Sequence, residues 1–149
     1  MDRITEISLK IKEYSDLLGS IMLEDYKQHL DEDTSNLTAK QEVILELLKN
    51  APKTIGEIAE SFSMTASAAS QIISKLEKEG YVGREINASN RREIIVSLSK
   101  KGKDYHEKRA KLEHYLIQKY FAKLDLPDLE NLLVLYEKLY AIAVKVQEE

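Results

Sequence analysis

Small side chains that can donate or accept hydrogen bonds share one face of the segment from Thr65 to Gly80. A helix enters the major groove of DNA only if its exposed face is slim and polar, and this face meets that requirement. The Gln71 amide suits a bidentate contact to adenine, and Ala68 suits a thymine methyl group. The residues predicted to contact DNA from this helix are Thr65, Ser67, Ala68, Ser70, Gln71, Ser74 and Lys75. The alternative is a well-capped helix whose polar face is merely solvated.

A second polar cluster, Asn87 to Arg92, separates two short runs rich in β-branched residues, which predicts a hairpin with a polar tip. Neighbouring side chains of a hairpin point in opposite directions, so Arg91 and Arg92 are expected to make different contacts. One arginine would enter a narrow minor groove, attracted by its negative potential, and the other would bind phosphate. The predicted contacts at this tip are Asn87, Asn90, Arg91 and Arg92. Ordinary solvation of surface charges is the alternative.

Charge is distributed unevenly along the chain, whose net formal charge is −4. The segment from Lys53 to Lys101 has eight basic and six acidic residues, whereas the rest has 14 basic and 20 acidic residues. Basic charge therefore gathers in the part expected to face phosphates. The asymmetry is modest, and it supports DNA contact without being sufficient to predict it.

Capping signals place these two clusters among short helices and strands. The predicted N-caps are Thr38, Thr54 and Thr65, with Gln41 and Glu57 completing two capping boxes. Gly80 suits the left-handed end of the helix that Thr65 begins. Strands are predicted at Tyr81–Ile86 and Glu93–Leu98. This order of elements is that of a winged helix-turn-helix.

Longer helices are predicted at both ends of the chain. They run from residue 2 to about residue 31, from Ser99 to about Leu124, and from Pro127 to near Val146. The polar run from Asp31 to Asn36 is predicted to break the first of them. The last helix has apolar side chains on more than one side, and so wide a surface needs several neighbours. A second copy of the chain would supply them, so we expect a homodimer.

Five short motifs occur in register between residues 37 and 102. They are Leu37-Thr38 with Gln41 and Leu45; Thr54-Ile55-Gly56-Glu57-Ile58-Ala59; the serine-rich helix followed by Leu76, Gly80, Val82 and Arg84; the tip from Asn87 to Arg92; and Leu98-Ser99-Lys100-Lys101-Gly102. In these motifs the sequence resembles the MarR (multiple antibiotic resistance regulator) family of bacterial transcription factors. The matching family patterns include T-x-x-E-L-A, L-E-x-x-G-x-V-x-R, D-x-x-D-x-R and L-T-x-x-G.

The resemblance implies a homodimer, a palindromic site on double-stranded DNA, and control of binding by a small-molecule effector or another signal. It further implies that Arg92 is the arginine in the minor groove and that Arg84 braces the wing rather than reading DNA. The wing departs from the family pattern, since Asn87 and Asn90 stand where the family has aspartates, and Ser99 is a minor change from threonine. In the family the second aspartate is thought to brace the wing arginine, so Arg92 is expected to be held less rigidly here.

Two further groups of residues suggest a place for an effector. Tyr14, Met22 and Tyr26 of the first helix are predicted to line a ligand pocket, although an aromatic stripe is also typical of plain core. His106 and His114 are eight residues apart, too far to bind one metal ion from a single helix face. A zinc site assembled across a dimer remains the alternative. We predict no cofactor and no metal site within one chain.

Other classes of protein are disfavoured by what the chain lacks. The absence of cysteine excludes disulfides and thiolate chemistry, and there is no glycine-rich phosphate loop or nucleophile elbow. We therefore expect that the protein is not an enzyme. No apolar run approaches the roughly 18 residues of a membrane span, and the N-terminus does not resemble a signal peptide. A cytoplasmic location without membrane contact is expected.

These observations predict a mainly α fold with a small β-hairpin wing, a winged helix-turn-helix with dimerisation helices at both ends. Residues 1–149 form a single domain in this prediction, with the DNA-binding module at 37–102 and dimerisation helices at 1–36 and 103–149. The predicted function is a sequence-specific, ligand-responsive repressor that binds a pseudo-palindromic operator. The alternatives are a zinc-responsive regulator of the same fold and a winged-helix adaptor for protein partners.

Overall fold

The computed structural model describes residues 1–149, and helices account for most of them. In chain order the elements are α1 (Arg3–Gln28), α2 (Glu32–Ser35), α3 (Ala39–Leu47), β1 (Lys53–Thr54), α4 (Ile55–Ser61), α5 (Ala66–Lys78), β2 (Val82–Ile86), β3 (Ile94–Leu98), α6 (Lys100–Lys119), a 3-10 turn (Phe121–Lys123) and α7 (Leu126–Glu148). None of the helices is both long enough and apolar enough to cross a membrane. The predicted fold class, mainly α with a β-hairpin wing, is confirmed.

The strands form one antiparallel sheet in which β3 lies between β1 and β2. In the hairpin, Arg84 lies opposite Val96 and Ile86 lies opposite Ile94. On the other side of β3, Lys53 also pairs with Val96. The side chain of Val96 is fully buried, so the central strand anchors the wing to the apolar core.

One apolar core joins α3, α4, α5 and the sheet. Its largest fully buried side chains are Ile44, Leu45, Ile58, Ile73, Leu76 and Val96. In α5 the buried residues Ala69, Ile73 and Leu76 lie four and three positions apart, which places them on one face of the helix. Burial of apolar side chains contributes about 1.5–3 kcal/mol for each one, so this core stabilises the packing of α3, α4 and α5 on the sheet.

The predicted helix starts are confirmed. Thr38 and Gln41 form a reciprocal capping box on α3, and Thr54 and Glu57 form another on α4. The hydroxyl oxygen of Thr65 accepts a hydrogen bond from the amide of Ala68 and caps α5. A cap of this kind typically contributes about 1 kcal/mol and sets the residue at which the helix begins.

The polar run after α1 is not simply a break, because its middle forms the single helical turn α2. The Asp31 carboxylate caps this turn by accepting from the Thr34 amide at 2.7 Å, and Lys108 Nζ lies 3.0 Å from its other oxygen. The hydrogen bonds from Thr34, and then the one from Lys108, lower the pKa of Asp31 to about 2. Four turn-forming residues thus acquire helical structure through a cap and a contact from α6.

Two further elements differ from the prediction. The two-residue strand β1 was not predicted, because its only partner, β3, lies about 40 residues later in the chain. The helix α6 ends at Lys119 and gives way to a 3-10 turn, whereas the sequence predicted a helix to about Leu124. The end of α5 agrees with the prediction, since Gly80 has a φ of +90°. A residue with a side chain would be strained in that left-handed conformation.

Tyr81 follows Gly80 and carries a buried hydroxyl group that has no hydrogen-bond partner. Its ring makes an edge-to-face contact with Tyr105 at 6.2 Å between centroids, and Lys101 Nζ lies 4.4 Å from the ring centroid. Burial, followed by nearby carboxylates such as Asp33, raises the pKa of Tyr81 to about 12. The ring is therefore well packed, whereas burial of the unpaired hydroxyl group destabilises the folded state.

We predict that Tyr81→Phe raises the free energy of unfolding by about 1 kcal/mol, because it removes a buried polar group that nothing satisfies. Because the pKa of Tyr81 is raised to about 12 in the folded state, its contribution to the free energy of unfolding is fully present below pH 10 and is lost as pH rises toward about 12. The variant should lack this alkaline component. Denaturant unfolding at pH 7 and pH 11 measures both effects. Tyr105→Phe is the matched control and should destabilise, since the Tyr105 hydroxyl accepts from Arg109 at 3.1 Å.

The chain comprises two compact units, residues 1–110 and residues 111–149. In the first, the N-terminal part of α1 exposes a row of apolar side chains: Ile4, Ile7, Ile11, Tyr14, Leu18 and Ile21. In the second, α7 exposes an even larger apolar set: Leu133, Leu135, Tyr136, Leu139, Tyr140, Ile142 and Val146. Contiguous apolar surfaces of this size on a protein mark sites of association.

Candidate nucleic-acid interface

The helix α5 has two faces of opposite character. Ala69, Ile73 and Leu76 are completely buried and bind the helix to the core. Ser67, Gln71 and Lys75 on the opposite face are exposed. The periodicity of the buried residues therefore orients the polar face outward, where it is free to enter a groove of DNA.

A tight turn joins α4 to α5 and sets the angle between them. Ser63 lies in the turn with a φ of +50°, and the amide of Met64 donates to the carbonyl oxygen of Ala59 at 3.0 Å. Phe62 and Met64 pack partly buried against the core on either side of Ser63. Residues 54–78 thus form a helix-turn-helix, in which α5 takes the position of the helix that reads bases.

Of the predicted DNA contacts on α5, Ser67, Gln71 and Lys75 are exposed, and Ala68 is half-buried. Thr65 is exposed as well, with its hydroxyl oxygen engaged in the cap. Ser70 is half-buried and Ser74 is exposed, and both accept hydrogen bonds from Arg84 of β2. Their hydroxyl oxygens therefore already bind the wing through Arg84. No pattern in the sequence reveals this contact. All of these DNA contacts stay predictions.

Arg84 does brace the wing, as the resemblance implies, and its contacts are with α5. Its Nη2 donates to the carbonyl oxygen of Ser70 at 2.9 Å. The nearest carboxylate belongs to Glu77, whose Oε1 lies 3.8 Å from Arg84 Nε. Serine oxygen atoms are thus closer partners of the guanidinium than any carboxylate.

The two asparagines organise the tip of the wing. Asn87 Oδ1 accepts from the amide of Ser89 at 3.0 Å, and its Nδ2 donates to Glu93 Oε2 at 3.0 Å. Asn90 Oδ1 accepts from the amide of Arg92 at 3.2 Å. A side-chain oxygen that accepts from an amide two residues later forms an Asx turn, which asparagine and aspartate support equally. Substitution of aspartate by asparagine therefore keeps the backbone bracing while removing a negative charge from the tip.

Arg91 and Arg92 are exposed at this tip, and the structure shows no ion pair of either guanidinium within the chain. Charged groups without an internal partner remain available to an external anion. The exposed Gln71 face of α5 and the two adjacent arginines of the wing together present donors for base edges and for phosphates.

The residues predicted to line a ligand pocket all lie on α1. Tyr14 is 65% exposed, whereas Met22 and Tyr26 are half-buried. Their spacing places Met22 and Tyr26 one helical turn apart, with Tyr14 two turns before Met22. The pocket stays a prediction.

Two of the three histidines, His29 and His106, make polar contacts within one chain. His106 Nε2 lies 2.8 Å from the carbonyl oxygen of Leu45, and Nδ1 of the same ring lies 3.9 Å from Glu46 Oε2, so His106 links α6 to α3. His29 Nδ1 lies 2.7 Å from the carbonyl oxygen of Asp25. The structure brings no three potential ligands together in one chain as a metal site.

A shallow groove of about 430 Å³ lies beside α3 and was not predicted from the sequence. Its walls are formed by Val43, Glu46, Leu47, Asn50, Lys53 and Phe62. Val43 is 46% exposed at the groove. The short strand β1, which the sequence did not reveal, places Lys53 at the rim.

Comparison with known proteins agrees with this geometry. The model of the MarR family matches residues 37–94, the segment from α3 to the start of β3. The uncharacterised HTH-type transcriptional regulator YkoM of Bacillus subtilis (strain 168) is 27% identical over 96 residues, 64% of this chain and 62% of YkoM. The chain thus spans less than two thirds of the length of the curated relatives it matches.

Solved structures share the fold over nearly the whole chain. Streptococcus pneumoniae FabT, determined in complex with DNA, superposes with a TM-score of 0.71 at 16% identity, covering 93% of this chain and 99% of FabT. Staphylococcus aureus MepR, determined with ethidium bromide bound, gives a TM-score of 0.71 at 18% identity, covering 89% of this chain and 95% of MepR. The MarR family model thus matches the winged helix-turn-helix segment of this chain, and these solved structures share its fold across most of its length.

Proposed function

We propose that the protein is a homodimeric, ligand-responsive repressor that binds a pseudo-palindromic operator. The observation that carries the proposal is the joint exposure of the Gln71 face of α5 and of Arg91 and Arg92 on the wing. A helix in the major groove with a basic wing beside it reads bases and holds the backbone at once. Two such modules in a dimer would contact half-sites about 34–36 Å apart.

The apolar side chains of α7 support the homodimer. Leu139 is 61% exposed and Tyr140 is 73% exposed in the single chain, and both lie among other exposed apolar residues. A second copy would cover the same surface on both subunits, as a twofold axis requires. The DNA complex of FabT and the ethidium complex of MepR support the choice of DNA and of a small-molecule effector as partners.

Control of binding would act through the separation of the two DNA-binding modules. An effector bound near Tyr14, Met22 and Tyr26 would favour one separation of the two copies of α5 over another. A ligand shifts such an equilibrium only by its difference in affinity for the two states. An unchanged separation in the operator-bound and effector-bound dimers would contradict this mechanism.

A salt titration of DNA binding tests the proposed function directly. The probes are a duplex from upstream of the protein's own gene and a scrambled duplex of equal length and composition. Tight binding to the native duplex, with log affinity falling by about 0.9 for each phosphate contact per tenfold rise in salt, would support a specific regulator. Equal and weak binding to both duplexes would contradict it and favour an adaptor for protein partners. A parallel titration with zinc or a chelator tests the metal-responsive alternative.

We predict that Gln71→Ala weakens binding to the preferred operator by about 1–3 kcal/mol and relaxes the preference at one base pair. The amide of Gln71 is exposed on the outward face of α5 and suits the donor and acceptor of adenine. Affinities for operators substituted one base pair at a time measure the effect. Glu60→Gln, an exposed change on α4, is the control and should leave the base preferences unchanged. An equal loss for every duplex would mean that Gln71 does not read a base.

A further inference from the structure

The guanidinium of Arg84 joins the wing to the recognition helix at several atoms. Its Nη2 donates to Ser70 O at 2.9 Å and also to Ser74 Oγ, while Nη1 lies 3.4 Å from Ser70 Oγ. Ser70, Ser74 and Glu77 are four and three residues apart, so they form one row along α5 that faces β2. The Arg84 side chain is only 20% exposed between these elements.

This connection lies where the wing leaves the core. Val82, two residues before Arg84, is buried, whereas Ile86, two residues after it, is 67% exposed. An isolated two-stranded hairpin is only marginally stable, so the direction of the outer wing depends on contacts near its base. Arg84 provides such contacts on the face of β2 that it shares with Val82 and Ile86.

The bonding pattern requires the shape of an arginine. The guanidinium is a rigid planar fork that reaches a backbone carbonyl and two hydroxyl oxygens together, whereas a lysine ammonium would act as a single point charge. A serine hydroxyl that accepts from Arg84 keeps its own proton directed elsewhere. Ser74, which is exposed, can therefore still donate that proton to an external group such as a phosphate.

We propose that Arg84 is a positioning residue that couples the wing to the recognition helix, so that Arg92 and the Gln71 face of α5 engage DNA as one unit. The inference rests on the proposed DNA-binding function and deepens it. Ser70 and Ser74 are the anchors of this coupling in the free protein. The orientation of the wing arginines is thus set from the helix that reads bases.

A double-mutant cycle with Arg92 tests the coupling. Dissociation constants for the native duplex are measured for the unsubstituted protein, Arg84→Ala, Arg92→Ala and the double variant. Arg92→Ala should weaken binding about tenfold when Arg84 is present, but only about twofold in the Arg84→Ala background, a coupling of about fivefold. Equal losses in the two backgrounds would overturn the proposal.

Arg109→Ala supplies the control cycle, because Arg109 contacts Tyr105 and Glu46 instead of the wing. Its effect should add to that of Arg92→Ala without coupling. The comparison also separates the two hypotheses. If the unsubstituted protein binds native and scrambled duplexes equally, the proposed function fails; if it discriminates between them and the Arg84 cycle is additive, only the coupling fails.

Hydrogen exchange of the free protein gives a second measurement that needs no DNA. In Arg84→Ala, the amides of the outer hairpin should exchange at least about tenfold faster, while amides of α3 keep their rates. Arg84→Lys keeps the charge but loses the fork, and it should behave like Arg84→Ala in both experiments. Unchanged exchange in the hairpin of both variants, or full restoration of the coupling by lysine, would overturn the role assigned to Arg84.

Discussion

Leu139→Glu should convert the proposed homodimer to a monomer at micromolar concentration and weaken binding to the proposed operator by more than about a hundredfold. Leu139 is 61% exposed on α7, next to Tyr140 at 73%. In a twofold interface each substitution occurs twice, so two apolar contacts are lost and two carboxylates are moved toward an apolar surface. Loss of about 1.5–3 kcal/mol for each leucine is enough for a hundredfold change in association.

Sedimentation velocity measures the oligomeric state, and the same samples are used for the operator titration. Ala141→Glu is the matched control, because it adds the same charge to the same helix about 200° around the axis from Leu139. Ala141 is exposed, and the control should remain dimeric. A dimeric Leu139→Glu protein with normal operator affinity would show that this face of α7 does not form the interface.

Gly102→Ala should lower the free energy of unfolding by about 3 kcal/mol, the upper part of the range for overpacked sites. A methyl group on Gly102 would lie 2.3 Å from the carbonyl oxygen of Tyr81 and 3.0 Å from Leu98 Cδ2. The Tyr81 carbonyl cannot move aside freely, since it accepts from the Ser99 amide at 3.0 Å. The substitution therefore forces the start of α6 away from the base of the wing.

Thermal unfolding measures this loss, which corresponds to a fall in Tm of roughly 6–12 °C for a protein of this size. Gly56→Ala is the control, because its new methyl group would meet only Thr54 Oγ1 at 3.8 Å. Alanine is the better helix former, so Gly56→Ala should stabilise the protein by up to about 1 kcal/mol. A Gly102→Ala protein as stable as the unsubstituted one would mean that α6 shifts at little cost.

Local chemistry was enough to predict much of the fold. The capping boxes at Thr38 and Thr54 and the left-handed Gly80 are properties of a few adjacent residues, and the structure shows all three. The wing strands were predicted to within one residue, because β-branched runs on either side of a polar tip are typical of a β-hairpin. Four of the five short motifs lie within residues 37–94, the segment that the MarR family model matches.

Some features around the predicted site follow from neighbouring residues, and others depend on contacts between residues far apart in the sequence. The outward face of α5 follows from the periodicity of Ala69, Ile73 and Leu76, which the sequence displays directly. The helical turn α2 was missed, because α6 contributes the Lys108 contact to its cap. The groove beside α3 was also missed, since the pairing of β1 with β3 determines its rim.

The sequence by itself determined where the helices begin, which face of α5 is buried, and which residues form the tip of the wing. These features depend on hydrogen bonds and side-chain periodicities within about one or two helical turns. Only the tertiary structure decided that Arg84 bonds to Ser70 and Ser74, and that a methyl group on Gly102 would clash with the carbonyl oxygen of Tyr81. Those contacts join residues 10 to 21 positions apart, and their geometry arises only when the core has packed the elements against one another.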